Sequence, residues 1–417
     1  MSKLIINGPT RLNGEVCVQG AKNSVLPILA ATILCNGKST IYNCPKLSDV
    51  NNSLNILRYL GCKCSFKNNI AVIDSETLHC CVVPDSLMLK MRSSIIFLGA
   101  ILGRCGSAVI TSPGGCELGP RPIDLHISAL KRMGAAVHEG YGRIEFNAPN
   151  GLKGTTINLS FASVGATENI ILAAVTAKGT TVIHNAAKEP EICDMVRFLN
   201  SCGAKIYGGG TDTITINGVK GISGCSHTII PDRIVAATYM AATAVTGGEI
   251  LLKNVEPEHL TTISSVFCEA GCELKCFEGN IYFKAPERLK NVSMIRTAVY
   301  PGFPTDAGPL VLTMLSLACG TSVMVENIFQ NRFRYVDELR RFGANIRIEG
   351  KIAIIEGVSS FFAAPCKCTD LRGGAALVVA AVAAKGTTVI SDIHHIKRGY
   401  ENIDTTLAML GANINEV

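Results

Sequence analysis

The stretch Ser112 to Arg121, SPGGCELGPR, sets one cysteine among three glycines and ahead of an arginine. Glycines give such a loop conformational freedom. A thiol near a guanidinium and a helix entrance has its thiolate favoured, so Cys116 reads as a nucleophile or as a proton-exchanging thiol. A second reactive group is Asp306 in PGFPTDAGP, at the start of an apolar run. One reading is a helix N-cap. The other is a carboxylate kept ionised by arginines and able to accept a hydroxyl proton.

Cations recur at equivalent places. Arg92 (KMRSS) and Arg372 (TDLRGG) open apolar helices, Arg398 (IKRGYE) precedes the last helix, and Arg332 (QNRFRY) holds the matching place in the fifth repeat. An arginine at the mouth of an all-apolar helix, with nothing else charged nearby, is hard to explain as a solvated face. Several such mouths facing one cleft make a cationic pocket for a small polyanion. Three further helix entrances carry small residues: Gly20-Ala21-Lys22-Asn23-Ser24, Arg121-Pro122-Ile123-Asp124 and Ser163-Val164-Gly165-Ala166-Thr167. Free N–H groups at such ends bind phosphate, and Pro122 near N1 loses no bond there. Ordinary capping explains any one alone; Lys22 and Arg121 shift two of them towards anions.

Other patterns fail. GKS at Gly37 to Ser39 lacks the upstream glycine of a phosphate loop, since Thr32 stands there, and a strand follows it. The 18 cysteines include no CxxC, and the CxC pairs Cys62/Cys64 and Cys366/Cys368 have no histidine nearby, so neither zinc nor a disulfide framework is expected. Most cysteines are expected to be small buried hydrophobes.

The elements that must position these groups repeat six times. A helix-ending glycine opens a strand at Gly61, Gly134, Gly203, Gly271, Gly343 and Gly411, with spacings of 73, 69, 68, 72 and 68. A second marker, glycine before a β-rich strand, recurs at Gly37, Gly106, Gly179, Gly248, Gly320 and Gly386. Two markers with one period predict a repeat of about βαβαββ. Its first helix is apolar all round, as in LRGGAALVVAAVAAKG, and must be buried on every side. Three such helices per domain, with sheets outside, give a two-domain α/β protein built as inside-out barrels. The expected domains are 22–230 and 1–21 plus 231–417, with a binding cleft between them. The first strand, before the stretch QGAKN (Gln19 to Asn23), has to join the last repeat to complete it.

Composition excludes several function classes. Of 417 residues 47% are hydrophobic and 17% charged, net charge is +6 without a basic run, and aromatics are 6% with no tryptophan. A stacking platform for nucleic acid is therefore not expected. No apolar leader opens the chain, and Ala375 to Ala384 is too short to span a bilayer. A cytoplasmic protein without a membrane partner is expected.

Ten ordered motifs resemble the UDP-N-acetylglucosamine enolpyruvyl transferase family along essentially the whole chain: GAKN, MRSSI, PGGC-LG-RPIDLH, SVGATENI, NAAKEPEI, PDRI, FPTD, NRF, TDLR and RGYE. The resemblance implies the two-domain enolpyruvyl transferase fold and transfer of enolpyruvate from phosphoenolpyruvate to the 3′-hydroxyl of UDP-N-acetylglucosamine. That is the first committed step of peptidoglycan synthesis, and it needs no metal or cofactor. It implies Cys116 as the general acid, a residue able to form a covalent adduct and the target of fosfomycin. Lys22, Arg121 and Arg398 would hold the donor phosphate, with Arg92, Arg332 and Arg372 supporting the anionic cleft. Asp306 would accept the hydroxyl proton and Asn23 would position substrate. The sugar nucleotide would lie against Arg121, Pro122, Ile123, Asp124 and Leu125, with Ser163, Val164, Gly165 and Ile328, and Asp370 would lie beside Arg372. Four positions depart from the family pattern. Phe161 stands for lysine, Pro120 for alanine, Val235 for glutamate, and Gly373 for an alanine whose loss is expected to loosen its helix. Alternatives are a 3-phosphoshikimate enolpyruvyl transferase and a catalytically idle regulatory paralogue.

Overall fold

The computed structural model describes residues 2–111, 123–140 and 142–417, and for Arg92 the backbone alone. Cys116, Pro120, Arg121 and Pro122 lie outside the described residues.

The described chain divides into two compact units, residues 20–230 and residues 2–19 with 231–417. The chain passes twice between them, and the crossings explain the boundary. Ala21 N–H donates to the Ile230 carbonyl (2.7 Å) within the first unit, and Asp232 N–H donates to the Gln19 carbonyl (2.9 Å) within the second. Gly20 lies so close to the Asn43 carbonyl that a Cβ would meet the oxygen at 1.9 Å. Residues 20 and 21 thus belong with 22–230.

Each unit is built around apolar helices. In the C-terminal unit these are Arg233–Thr246, Gly308–Leu315 and Leu371–Ala383, which pack on one another. In the N-terminal unit Phe97–Cys105 packs against both Lys22–Ala31 and Val164–Ala174. From Arg372 to Ala383 every residue is buried, so this helix has no polar stripe because no face meets water.

The sheets follow the repeat. In the fifth repeat, strand Thr321–Val325 pairs parallel with Met294–Arg296 and antiparallel with Ile352–Glu356, which forms a hairpin with Asn345–Glu349. Three repeats exchange strands along the chain. Leu4–Gly8, the first strand of the chain, completes the last repeat, between Gly386–Ser391 and Asn413–Glu416, whereas the strand directly before QGAKN does not. Asn13–Cys17 opens the fourth repeat against Glu249–Lys253, and Ser226–Thr228 opens the first against Lys38–Tyr42.

All six glycines of the first marker have φ between +90° and +106°, a region closed to most side chains. The second marker breaks once. Gly247 takes the left-handed turn (φ +67°), while Gly248 is needed for space, since its Cβ would meet the Leu12 carbonyl at 1.9 Å. The cysteine expectation holds for Cys35, Cys44, Cys62, Cys202, Cys272, Cys366 and Cys368, but Cys17, Cys105, Cys268, Cys276 and Cys319 are exposed.

Candidate functional site

In the C-terminal unit the charged motifs meet at the mouths of the apolar helices. Asp306 lies in a 3-10 turn, Thr305–Ala307, that leads into Gly308–Leu315. Arg332 Nη2 donates to Asp306 Oδ1 (2.8 Å) and, with Nε, to the Thr305 carbonyl (2.9 and 3.2 Å). Arg372 Nε donates to Asp306 Oδ2 (3.1 Å), and Arg372 Nη1 reaches the Tyr400 hydroxyl (3.3 Å). The arginine side chains are 2% and 3% exposed, against 28% for Asp306. The arginines are therefore built in, and the carboxylate is the group that still faces outward. Burial works against the Arg372 charge, but Asp306 beside it holds that charge above the ordinary guanidinium range.

This arrangement corrects one expectation. Arg332 and Arg372 are not isolated cations, because one acid, Asp306, 26 and 66 residues away in sequence, meets both. Other acids hold the backbone. Asp370 Oδ1 accepts N–H bonds from Arg372 and Gly373 (2.9 Å each) and so caps the helix that carries Arg372. Asp232 caps Arg233–Thr246 in the same way. Buried Glu326 accepts from the N–H groups of Ile328 (2.7 Å) and Phe329 (2.9 Å) and from the Thr305 hydroxyl (2.8 Å), tying the Ile328 turn to Asp306. Arg398 ends a 3-10 turn, Ile393–Arg398, that follows strand Gly386–Ser391, and the adjoining Gly399 carbonyl accepts from Gln19 (3.1 Å). Gly373 is not a loosened start: a Cβ there would meet Asp370 Oδ2 and Tyr335 Cβ at 2.7 Å. Val235 is fully buried.

The N-terminal unit brings a second set together. Lys22 opens its helix and pairs with buried Asp49 (2.8 Å), while Asn23 beside it is exposed. Ser24 donates to Asp194 Oδ2 (2.5 Å), which also accepts from Ile230 N–H (3.3 Å), and His227 Nε2 lies 3.0 Å from Asp194 Oδ1. Helix Asp124–Arg132 lies beside Val164–Ala174, which is capped by Ser163. The link is Asn169. It accepts from Gly99 N–H (2.6 Å) and donates to the Ile95 carbonyl (3.1 Å) and to His126 Nδ1 (2.9 Å). His126 is buried and its ring touches Gly165, where a Cβ would sit 3.4 Å from Cε1. Burial depresses its pKa to about 4, so it is a neutral donor-acceptor at neutral pH. Ile123, Asp124 and Leu125 therefore stand beside Ser163, Val164 and Gly165, near the turn that begins at Arg92. Phe161 is exposed.

Sequence reading missed Asp49, Asp194, His126, Asn169, Glu326 and Tyr400. His126 and Tyr400 stand inside quoted motifs, RPIDLH and RGYE, and Asn169 and Asp194 stand in or just after two others. For His126, Asn169 and Asp194 the signal was polarity on the buried side of a helix. Among the described residues no cluster suited to a metal occurs, and no helix is long and apolar enough to cross a membrane.

Comparisons with known proteins agree with this fold. The EPSP synthase (3-phosphoshikimate 1-carboxyvinyltransferase) family matches residues 6–407. The chain is 51% identical to UDP-N-acetylglucosamine 1-carboxyvinyltransferase 2 of Caldanaerobacter subterraneus subsp. tengcongensis, over 99% of both chains. It is 45% identical to UDP-N-acetylglucosamine 1-carboxyvinyltransferase 1 of Symbiobacterium thermophilum, over 100% of this chain and 95% of the relative. Among solved structures, the enolpyruvyl transferase NikO from Streptomyces tendae matches with a TM-score of 0.91 at 22% identity, covering 100% of this chain and 99% of that one. EPSP synthase from Acinetobacter baumannii matches at 0.76 and 19%, with the same coverage.

Proposed function

Since the chain belongs to the UDP-N-acetylglucosamine 1-carboxyvinyltransferase family, we propose that it transfers the enolpyruvyl group of phosphoenolpyruvate to the 3′-hydroxyl of UDP-N-acetylglucosamine and releases phosphate. The observation that carries the reading is Asp306, held at both carboxylate oxygens by two buried arginines yet itself partly open. Its partial exposure leaves the carboxylate accessible to a hydroxyl, from which it can take a hydrogen bond and then a proton. The arginines keep it ionised until that moment.

In this mechanism the 3′-oxygen attacks C2 of phosphoenolpyruvate and its proton passes to Asp306. The Cys116 thiol protonates C3, giving a tetrahedral intermediate. Loss of a proton from C3 and departure of phosphate from C2 then restore the double bond. Positive charge develops at C2, and the neighbouring carboxylate and phosphate must be held without mobile water. Lys22, Arg121 and Arg398 serve the donor phosphate, and Arg92, Arg332 and Arg372 serve the anionic surround. Asn23 positions the acceptor. Uridine and diphosphate are bound by Arg121, Pro122, Ile123, Asp124 and Leu125 with Ser163, Val164 and Gly165, and Ile328 contacts the sugar nucleotide. Both clusters then serve one reaction, in a cytoplasmic enzyme of peptidoglycan synthesis, with Cys116 as the site of fosfomycin alkylation.

The family match spans two acceptors, and the 44–51% identical relatives carry the sugar-nucleotide name. Phosphate release from phosphoenolpyruvate tests the choice. Release is expected with UDP-N-acetylglucosamine and not with 3-phosphoshikimate. The opposite pattern would move the chain to the other branch, and release with neither acceptor would make it an idle paralogue.

A further inference from the structure

Three thiols converge in the N-terminal unit, at the opposite end of helix Lys22–Ala31 from Lys22. Cys202 caps the end of helix Pro190–Ser201, Cys35 opens the short strand Cys35–Asn36, and Cys225 directly precedes strand Ser226–Thr228. The Cys202 and Cys225 sulfurs are 3.2 Å apart, and those of Cys202 and Cys35 are 3.7 Å apart. Cys35 is fully enclosed, Cys202 is buried, and Cys225 is half-buried, so Cys225 offers the opening to solvent. The backbones around the closer pair are already joined, because Ser223 N–H donates to the Cys202 carbonyl (2.9 Å). Cys225 is turned towards the same helix, with its sulfur 3.9 Å from the Phe198 carbonyl. Two sulfurs 23 residues apart in sequence are here in direct contact.

We propose that Cys202 and Cys225 are a dithiol modification site that a hydroperoxide converts to a disulfide. The Cys225 sulfur attacks the peroxide, forming an S–O bond as the O–O bond breaks, and the alcohol or water leaves with the thiol proton. The Cys202 sulfur then attacks Cys225, the S–S bond forms, the S–O bond breaks, and water leaves with the Cys202 proton. Two thiols lose two electrons and one peroxide gains them. The sulfurs have to close from 3.2 Å to about 2 Å, a change that side-chain rotation can supply. Cys35 is the third thiol, further off and enclosed, so it competes poorly for Cys202. The product ties the helix end to the strand that opens the first repeat, where the far ends of this unit's chain meet.

The test treats the purified full chain with hydrogen peroxide, alkylates free thiols, and maps tryptic peptides by mass spectrometry. Cleavage after Lys and Arg places the three thiols in separate peptides, 23–38, 198–205 and 221–233. The expected product is peptide 198–205 joined to 221–233, more abundant than 198–205 joined to 23–38. The oxidised chain should also unfold about 5 °C or more above the reduced chain, since the bond closes a chain loop of moderate length. Both effects should vanish in Cys225→Ser. Cys202 and Cys225 recovered as free or separately over-oxidised thiols, while exposed cysteines have reacted, would overturn the proposal. So would a dominant link to peptide 23–38. The wild-type map decides without any variant, and because it does not use turnover, its failure is distinct from failure of the enolpyruvyl-transfer reading.

Discussion

Removing the Asp306 carboxylate should separate its two jobs. In Asp306→Ala the guanidiniums of Arg332 and Arg372, 2% and 3% exposed, lose their shared counter-ion. Stranding a buried charge costs about 3–5 kcal/mol. Asp306 is itself 28% exposed, and water entering its place screens part of that loss, so about 3 kcal/mol is the expected destabilisation of the C-terminal unit. For a unit of this size that corresponds to a midpoint lowered by roughly 6–12 °C. Asp306→Asn keeps the shape but turns an amide N–H towards one arginine, so an intermediate loss is expected. Turnover should fall by about 10²–10⁴ in either variant, the range for a lost general base. Adding Arg372→Met to Asp306→Ala should recover part of the stability, because an apolar chain replaces the stranded charge, and none of the turnover. Differential scanning calorimetry and phosphate release on the same samples read both. A wild-type midpoint in Asp306→Ala would refute the buried-pair argument. Wild-type turnover in Asp306→Asn would refute the base assignment.

Three further outcomes follow, two of them from buried groups. His126 titrates near pH 4 in the folded chain and near 6.5 when unfolded, so the unfolded chain binds the extra proton as pH falls between those values. Its contribution to stability is whole above about pH 6.5 and is lost towards pH 4, about 3 kcal/mol in total; acid unfolding of His126→Gln should lack that component. Glu168 is driven far above the carboxylate range by burial, with Glu191 and Glu189 adding to it. It holds its proton to higher pH when folded than when unfolded, so stability declines as pH rises above the unfolded value, and Glu168→Gln should gain in midpoint at pH 8 relative to wild type and little at pH 5. Asp370→Ala removes two N–H bonds at the mouth of the Leu371–Ala383 helix. It should cost about 1 kcal/mol in denaturant unfolding and lower turnover by shifting Arg372.

Much of this was legible in the sequence because it is periodic or local. Six glycines with left-handed φ mark the repeats, since only glycine tolerates that backbone, and the apolar helices between them announce full burial. Lys22, Asp306, Arg332 and Arg372 stood out because charge at an apolar helix mouth is conspicuous. The acid beside Lys22 and several other long-range partners did not. Asp49 meets Lys22 across a turn of unrelated sequence, Asp194 reaches Ser24 from 170 residues away, and Tyr400 reaches Thr238 from 162. A polar side chain that ends in a distant hydrogen bond leaves no local periodicity, so the partners of Lys22, Ser24 and Thr238 were invisible until the chain was folded. Strand exchange was only half legible for the same reason. The need for a missing strand in the last repeat showed, but not that Asn13–Cys17 would open the fourth.

The most direct measurement is the product itself. The purified chain, incubated with phosphoenolpyruvate and UDP-N-acetylglucosamine, should yield UDP-N-acetylglucosamine bearing an enolpyruvyl ether at the 3′-oxygen, by mass spectrometry and proton NMR, with one phosphate released per ether. In Cys116→Ser that product should form far more slowly at neutral pH while the thermal midpoint stays that of wild type. No ether from the wild-type chain would contradict the proposed reaction, and an undiminished rate in Cys116→Ser would contradict the proton donor assigned to it.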